Sequence, residues 1–226
     1  MKKVRVWDLP TRLFHWSLVT LVVTAVITQE IGGNAMEWHF RAGYAVLALI
    51  AFRILWGLVG SRYARFASFV YGPAAILAYI RNSSQGRKDG LLGHNPLGSL
   101  SVFALLANLL AQALTGLYSN DDIANDGPLV KFISKDLSDQ VTWFHKEVSG
   151  TLLYVLVGLH VAAIVFYVFR KKQNLVGPMI SGDQQVDFDA PAANDSWVMR
   201  LFALAIFAIC AAVVYYVVTL SPQPLA

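Results

Sequence analysis

Five segments of this chain are long and apolar enough to cross the hydrocarbon core of a bilayer, which is about 30 Å thick and needs roughly 20 helical residues. They lie at approximately 12–32, 38–60, 97–118, 143–169 and 197–219. Because backbone polar groups in lipid must be bonded within their own segment, each is predicted to be an α-helix. Only 14% of the 226 residues are charged, whereas soluble domains carry about a quarter. The sequence therefore predicts an all-α integral membrane bundle.

The first segment has an alternative interpretation as a secretory signal peptide, because Lys2, Lys3 and Arg5 precede it. Its apolar run is too long for a signal peptide and no small-residue cleavage site follows, so we expect a membrane helix. Cys210 is the only cysteine. A lone thiol excludes an internal disulfide, a CxxC redox pair and an iron–sulfur cluster within the chain.

The charged residues in the loops and at the ends of the spans fall into two groups that alternate along the chain. One group of loops is basic and contains Lys2, Lys3, Arg5, Arg12, Arg62, Arg65, Arg81, Arg87, Lys88, Arg170, Lys171, Lys172 and Arg200. The other group is acidic and contains Glu30, Glu37, Asp121, Asp122, Asp126, Asp136 and Asp139. Basic loops stay in the cytoplasm, so the N-terminus is predicted to be cytoplasmic. The net charge of +4 is then a topology signal, and no nucleic-acid partner is expected.

Three regions follow from this arrangement of spans. Residues 1–172 are predicted to form a four-helix transmembrane domain, and 173–196 a mobile, aspartate-rich cytoplasmic linker. Residues 197–226 are predicted to contain the fifth transmembrane helix and a C-terminal tail.

Four of the five histidines lie inside the predicted spans, namely His15, His39, His145 and His160. Ionisable side chains within a membrane are costly, face the protein interior and usually mark function. A single buried histidine would be explained by a hydrogen bond between helices. Four of them on three helices favour a binding site.

The alternating direction of the helices sorts these histidines by depth. His39 and His145 fall near the outer face, whereas His15 and His160 fall toward the inner face. Residues 145 and 160 are separated by about 22 Å along a helix and by about 60° in direction, so both can face the interior. The sequence therefore predicts two histidine pairs at two depths, His39 with His145 and His15 with His160.

Each pair comes from two different helices, as a flat macrocycle held on both faces requires. Zinc or copper would need three or four clustered ligands. Neutral imidazole binds iron well, and its second nitrogen can be oriented by a neighbouring acceptor. The pairs therefore predict two b haems. Because both axial positions would be filled, electron transfer is favoured over oxygen activation.

Two glycines follow the outer histidines closely: Gly43 is four residues after His39, and Gly150 is five after His145. A glycine beside an axial ligand would leave room for the porphyrin. Small residues in membrane helices also serve ordinary helix–helix contacts, and that alternative stays open.

Two further residues are candidates for anionic groups or quinone. Arg53 lies well inside the second span, where it could pair a haem propionate or line a quinone pocket, or else extend toward the inner surface. His94 stands in Gly93-His94-Asn95-Pro96-Leu97-Gly98, just before the third span. It could bond a propionate or take part in proton uptake at a quinone site, or be a surface residue.

Several motifs in order resemble the bacterial cytochrome b561 family, which includes the b-type cytochrome subunits of nickel–iron hydrogenases. They are VWDLPTRLFHW at 6–16, His39 with Gly43-Tyr44, RILWG at 53–57, GHNPLG at 93–98 and the helix from His145 to His160. The resemblance covers about residues 4–170. It implies a four-helix core in the bacterial inner membrane, two haems bound by the four histidines, exchange with quinone and a redox partner outside the membrane.

The leading hypothesis is thus an electron-transfer subunit of an oxidoreductase that links the quinone pool to a periplasmic c-type cytochrome or hydrogenase. A stand-alone quinone reductase that uses a small oxidant or reductant such as superoxide is an alternative. A histidine-relay proton channel or transporter is another, although it would be expected to carry more intramembrane carboxylates. A homodimer is left open, as is the role of the fifth helix, which lies outside the implied core.

Overall fold

The computed structural model describes residues 2–84, 92–122 and 125–220. Arg87, Lys88 and the predicted tail after residue 220 lie outside the described residues. The helices are α1 (Leu9–Ile31), α2 (Met36–Val59), α3 (Pro73–Ser84), α4 (Pro96–Gly116), α5 (Lys135–Trp143), α6 (Thr151–Phe169), α7 (Val176–Ser181) and α8 (Trp197–Thr219). A π-helical segment, Phe144–Gly150, joins α5 to α6. The two strands are β1 (Lys2–Arg5) and β2 (Asp183–Val186).

The five predicted spans are present as helices. They are α1, α2 with its preceding turn, α4, the continuous helix Lys135–Phe169 and α8. The prediction of an all-α membrane protein is confirmed. The fourth span begins eight residues earlier than predicted (135 against 143), because Lys135–Trp143 is a polar helix that hydropathy alone does not detect. Ser134 caps this helix by accepting a hydrogen bond from the backbone N–H of Leu137.

The chain divides into two compact units, and each contains a part of every long helix. The first unit consists of Met1–Leu13, Arg53–Ala104 and Gly158–Leu204. The second consists of Phe14–Phe52, Leu105–Val157 and Ala205–Ala226.

The first unit holds a small antiparallel sheet that was not predicted. Strand β1 pairs with β2 so that Lys2 lies opposite Val186 and Arg5 lies opposite Asp183. The segment 173–196 therefore contains a short helix and a paired strand, where a mobile linker was expected. The difference arises because these partners are far apart in the sequence, and single-segment patterns carry no signal for such a pairing.

Asp195 accepts several hydrogen bonds in the first unit. Its carboxylate accepts hydrogen bonds from Arg5 Nη1 at 2.6 Å, from Arg200 Nε at 3.0 Å and from the backbone N–H of Leu9 at 3.0 Å. Burial raises the pKa of Asp195, but the bonds from Arg200, Leu9 and Arg5 outweigh it and hold the pKa below its ordinary value. This carboxylate therefore ties the start of α1 to the residues that precede α8.

The second unit has an apolar core between α2, α4 and α8. Its buried members are Leu47, Ala48, Leu117, Leu129 and Val214. In the most apolar stretch of α2, 56% of the residues are buried, against 11–22% in the other four spans. The outward faces of those helices carry large apolar side chains, as lipid contact requires.

Candidate functional site

His39 and His145 lie side by side in the second unit. Their ring centroids are 6.3 Å apart and the ring planes are at 86°. A metal–imidazole bond of about 2 Å, with about 1 Å more to the ring centre, would put two axial rings on one metal about 6 Å apart. The separation therefore fits two imidazoles that hold one haem iron.

The tautomer of His39 is set by a carbonyl group of α1. The Nδ1–H of His39 donates to the carbonyl oxygen of Ala25 at 2.8 Å. Because a carbonyl oxygen can only accept, Nδ1 must carry the proton of the neutral ring. The other nitrogen, Nε2, is therefore the basic atom that can bind a metal.

His145 has the same tautomer as His39, and a side chain of α4 fixes it. Thr115 Oγ1 lies 2.7 Å from the carbonyl oxygen of Ala111 and 3.1 Å from His145 Nδ1. A hydroxyl has one proton, which goes to the nearer carbonyl, so toward the ring it accepts. His145 Nδ1 then carries the proton and Nε2 is left as the basic atom.

Gln112 occupies the other side of the His145 ring. Its side-chain amide donates to His145 Nε2 at 3.2 Å, and its Oε1 is buried without a hydrogen-bond partner in the described part of the chain. Because an iron would bind this same nitrogen, the Gln112 side chain would have to turn away from it for haem to bind. Gly116 makes space for the ring, because a Cβ there would come within 3.2 Å of His145 Cε1.

The backbone that carries His145 is π-helical over Phe144–Gly150. A π turn holds one extra residue, and such turns are frequent at functional sites. The extra residue corrects the predicted angle between the side chains of residues 145 and 160 around the helix axis. A regular helix would give about 60°, whereas the π turn gives about 40° in the opposite direction. Both directions still leave the two side chains on one half of the helix.

Asn108 of α4 bonds to the end of this π segment. Its Nδ2 donates to the backbone carbonyl of Ser149 at 3.1 Å, and the Ser149 hydroxyl donates to Asn108 Oδ1 at 3.1 Å. Both side chains are buried, with Ser149 fully so. In the apolar interior of a membrane protein these bonds satisfy groups that lipid cannot. Asn108 thus stabilises the irregular turn that places His145.

The two predicted glycines have different surroundings. A Cβ at Gly43 would meet no atom of the described residues within 4 Å, so these residues leave space four residues after His39. A Cβ at Gly150 would instead come within 3.2 Å of the His145 carbonyl oxygen. The constraint at Gly150 therefore comes from the π-helical backbone, while its predicted role beside a porphyrin stays a prediction.

The second predicted pair is divided between the two units. His15 lies in α1 within the second unit, and His160 lies in α6 within the first. Both side chains are half-buried. The pairing of His15 with His160 stays a prediction.

Arg53 is a buried cation in the first unit. It is 3% exposed, its guanidinium carbon lies 4.7 Å from the ring centre of Phe66, and Nη1 has no hydrogen-bond partner among the described residues. The expected alternative, extension of the side chain toward the surface, is not what the structure shows. Arg53 lies within electrostatic range of Asp8, which is 1% exposed.

His94 and Arg53 contact one aromatic cluster, formed by Phe66, Phe69 and Phe103. The ring of His94 lies 4.4 Å from that of Phe69. Phe69 and Phe66 are each 5.5 Å from Phe103, measured between ring centres. Arg53 and His94, the two candidate residues from the sequence, therefore contact the same aromatic cluster.

Three polar residues of α4 were missed in the sequence: Asn108, Gln112 and Thr115. They follow one another at intervals of four and three residues, so they form one stripe along a membrane helix. Such a polar stripe faces protein and not lipid. This spacing was the signal that could have identified the partners of His145.

Comparison with known proteins agrees with the motifs. The family model described as prokaryotic cytochrome b561 matches residues 6–182. Among the relatives are two named "Probable Ni/Fe-hydrogenase B-type cytochrome subunit". The one from Bradyrhizobium diazoefficiens is 26% identical over 80% of this chain and 86% of its own. The one from Azotobacter vinelandii is 27% identical over 83% and 91%. No solved structure matches the chain.

The family match confirms the resemblance read from the motifs. Members of this family are b-type cytochromes, so haem b is the cofactor and electron transfer across the membrane is the activity. The geometry at His39 and His145 suits that cofactor. With its five apolar helices, the chain is a multi-pass membrane protein that belongs to the prokaryotic cytochrome b561 family.

Proposed function

We propose that this protein transfers electrons across the bacterial inner membrane through two b haems, each held by two histidines. His39 and His145 would hold the outer haem, and His15 and His160 the inner one. The protein would thereby link the quinone pool to a redox partner on the periplasmic side.

The observation that carries the proposal is the arrangement of His39 and His145. Their rings are 6.3 Å apart, and each has its Nδ1 bonded to an oxygen acceptor, which leaves Nε2 basic. Hydrogen bonds from each histidine to a neighbouring helix would not require the two imidazoles to lie side by side. Two rings held apart with basic nitrogens instead suit a metal between them.

Haem b, when bound, supplies one-electron exchange between ferric and ferrous iron. The protein's own contribution would be to hold the imidazoles in place, so that two histidines on each haem leave no position for another ligand. Open space beside Gly43 supports the presence of a bulky group next to His39.

The distribution of charge supports the proposed orientation. The basic residues that predict a cytoplasmic N-terminus belong to the first unit wherever the structure describes them, and the acidic residues of the opposite loops belong to the second. By the positive-inside rule the basic loops would be cytoplasmic. His39 and His145 belong to the unit that contains the acidic loops, so the haem they would hold is proposed to serve the periplasmic partner.

The proposed partner is a hydrogenase or a c-type cytochrome. The two relatives named above, which share 26% and 27% identity with this chain, carry names of hydrogenase cytochrome subunits. A direct test is to isolate the tagged protein from its native membranes and identify the proteins that co-purify. Recovery of hydrogenase subunits would support that partner, and recovery of a c-type cytochrome alone would favour the other.

A quinone site is proposed at the aromatic cluster of Phe66, Phe69 and Phe103. A buried cation at Arg53 and the ring of His94 stand at this cluster, so it combines apolar surface with two polar groups, as small-molecule sites do. Unchanged quinone reduction kinetics after substitution of Arg53 or His94 would count against this assignment.

The decisive experiment is spectroscopic. The full-length protein, purified in detergent after expression with adequate haem supply, is examined by a reduced-minus-oxidised spectrum and a pyridine haemochrome titration. We expect two low-spin b haems per chain. One haem would contradict the second pair, and a colourless protein would contradict the proposal and favour the histidine-relay alternative.

A further inference from the structure

We propose that Thr115 is a positioning residue for the outer haem: its hydroxyl fixes which nitrogen of His145 binds iron and strengthens that nitrogen as a ligand. The inference rests on the proposed function, since it assigns a role around the same histidine. It adds a residue that lies on a different helix from either proposed ligand.

The hydroxyl of Thr115 lies between two backbone carbonyls and one imidazole nitrogen. It is 2.7 Å from the Ala111 carbonyl, 3.1 Å from the Gln112 carbonyl and 3.1 Å from His145 Nδ1, so its proton goes to a carbonyl and the ring N–H donates to its oxygen. By donating to the carbonyl it becomes polarised as an acceptor, which strengthens the bond from the imidazole N–H. Without this acceptor, neither the tautomer nor the rotation of the ring would be fixed from the Nδ1 side.

The two proposed ligands of the outer haem differ in this respect. His39 donates to a backbone carbonyl, that of Ala25, which mutation cannot remove. His145 donates to a side-chain hydroxyl. A single substitution at Thr115 can therefore remove the hydrogen bond at Nδ1 of one proposed ligand of this haem.

An acceptor at Nδ1 makes the opposite nitrogen more basic. A more basic ligand stabilises ferric iron more than ferrous iron, so it lowers the midpoint potential. Loss of the hydroxyl should then raise the potential of one haem. A tenfold loss of preference for the ferric state corresponds to about 59 mV for one electron.

A purely structural role is the competing explanation, because threonine hydroxyls in helices commonly bond to the carbonyl four residues earlier. Thr20 of α1 makes such a bond, to the Trp16 carbonyl at 3.0 Å. The substitution Thr20→Val is therefore a matched control. Thr115→Ser keeps the hydroxyl and removes only a methyl group.

The test compares wild type, Thr115→Val, Thr115→Ser and Thr20→Val as full-length protein in detergent. Haem content, midpoint potentials by optical redox titration, and the electron paramagnetic resonance of the ferric haems are measured. We expect Thr115→Val to raise one of two potentials and shift one ferric signal, while the other two variants match wild type.

Other outcomes are equally informative. If Thr115→Val loses one haem and Thr115→Ser keeps both, the hydroxyl is again responsible. Wild-type potentials and signals in a fully loaded Thr115→Val would overturn the inference and leave the proposed function intact. A loss of haem in Thr115→Ser as large as in Thr115→Val would show that packing, and not the hydroxyl, matters. A wild-type protein without haem would instead overturn the proposed function itself.

Discussion

His39 and His145 hold their rings 6.3 Å apart and nearly perpendicular, although 106 positions separate them in the chain. Both rings are also bonded through Nδ1, one to α1 and the other to α4. The two imidazoles are thus surrounded by α1, α2 and α4 as well as by the π segment. The consequence is that each histidine should matter for one haem and not for the other.

Replacing His145 by alanine should lower the haem content from two to one per chain, because one proposed iron would lose an axial ligand. The same result is expected for His39→Ala. The measurement is a pyridine haemochrome assay normalised to protein. Lys146→Ala, at the exposed neighbouring position, is the control and should keep both haems. A full haem content in His145→Ala would refute its role as a ligand.

The π segment should depend on Asn108. In Asn108→Leu both bonds to Ser149 are lost, and relaxation to a regular helix would rotate residue 145 by about 100° relative to α6. We expect loss of the outer haem. Ser149→Ala removes only the hydroxyl bond and should cost about 0.6–1 kcal/mol of unfolding free energy with the haem retained. Haem content and detergent-induced unfolding of the two variants provide the comparison.

The five helices could be predicted because hydropathy over about 20 residues suffices when lipid is the solvent. The start of α1 at Leu9 was missed by three residues. Asp8 explains the difference, since its Oδ1 accepts from the Thr11 N–H at 2.8 Å and begins the helix earlier than hydropathy suggests.

The surroundings of the histidines were less predictable. Depth along the membrane was enough to group His39 with His145, because helix rise is regular. The π turn before α6 could not be anticipated, since one inserted residue leaves hydropathy unchanged. The pairing of β1 with β2 joins residues about 180 positions apart, and no local pattern encodes it.

Trp56→Phe should destabilise the first unit. The indole N–H of Trp56 donates to Asp8 Oδ2 at 3.1 Å, and both side chains are buried. Removing a donor from a buried carboxylate should lower the free energy of unfolding by about 2 kcal/mol. Trp197→Phe is the control, because Trp197 is 71% exposed and should change stability by less than about 0.5 kcal/mol. Equal unfolding curves for the two variants would rule out this role of the indole.

Asp195 should give the first unit a defined pH dependence. Its pKa lies below the ordinary value in the folded protein, so its contribution is present above the unfolded pKa of about 4 and is lost as the pH falls through the lower folded pKa. Asp195→Asn should therefore be less stable than wild type by about 1–3 kcal/mol at neutral pH, and the difference should shrink below about pH 4. Hydrogen exchange of the β1 amides measures it.

The exposed ion pair of Lys2 with Asp189 supplies the control for this prediction. Asp189→Asn should leave exchange in β1 nearly unchanged, because exposed pairs contribute little. If the difference between Asp195→Asn and wild type persisted undiminished at pH 3, the carboxylate charge would not be its cause.

Arg53 should influence the inner haem, because it is fourteen residues after His39 in the second span, about 21 Å further along that helix. It is also buried, and its charge is incompletely paired among the described residues. A nearby positive charge opposes the extra charge of ferric iron and so raises the midpoint potential. At about 10 Å and an effective dielectric constant of about 20, the interaction is about 1–2 kcal/mol, or tens of millivolts for one electron.

Arg53→Met in a His145→Ala background, in which only the inner haem is expected, should lower the midpoint potential of that haem by this amount. Arg53→Lys should restore most of it. Arg62→Met, at an exposed position of the same unit, should have no effect. If the potential of Arg53→Met and quinone reduction in the otherwise wild-type protein were both unchanged, Arg53 would be left only with its contact with Phe66 and its interaction with Asp8.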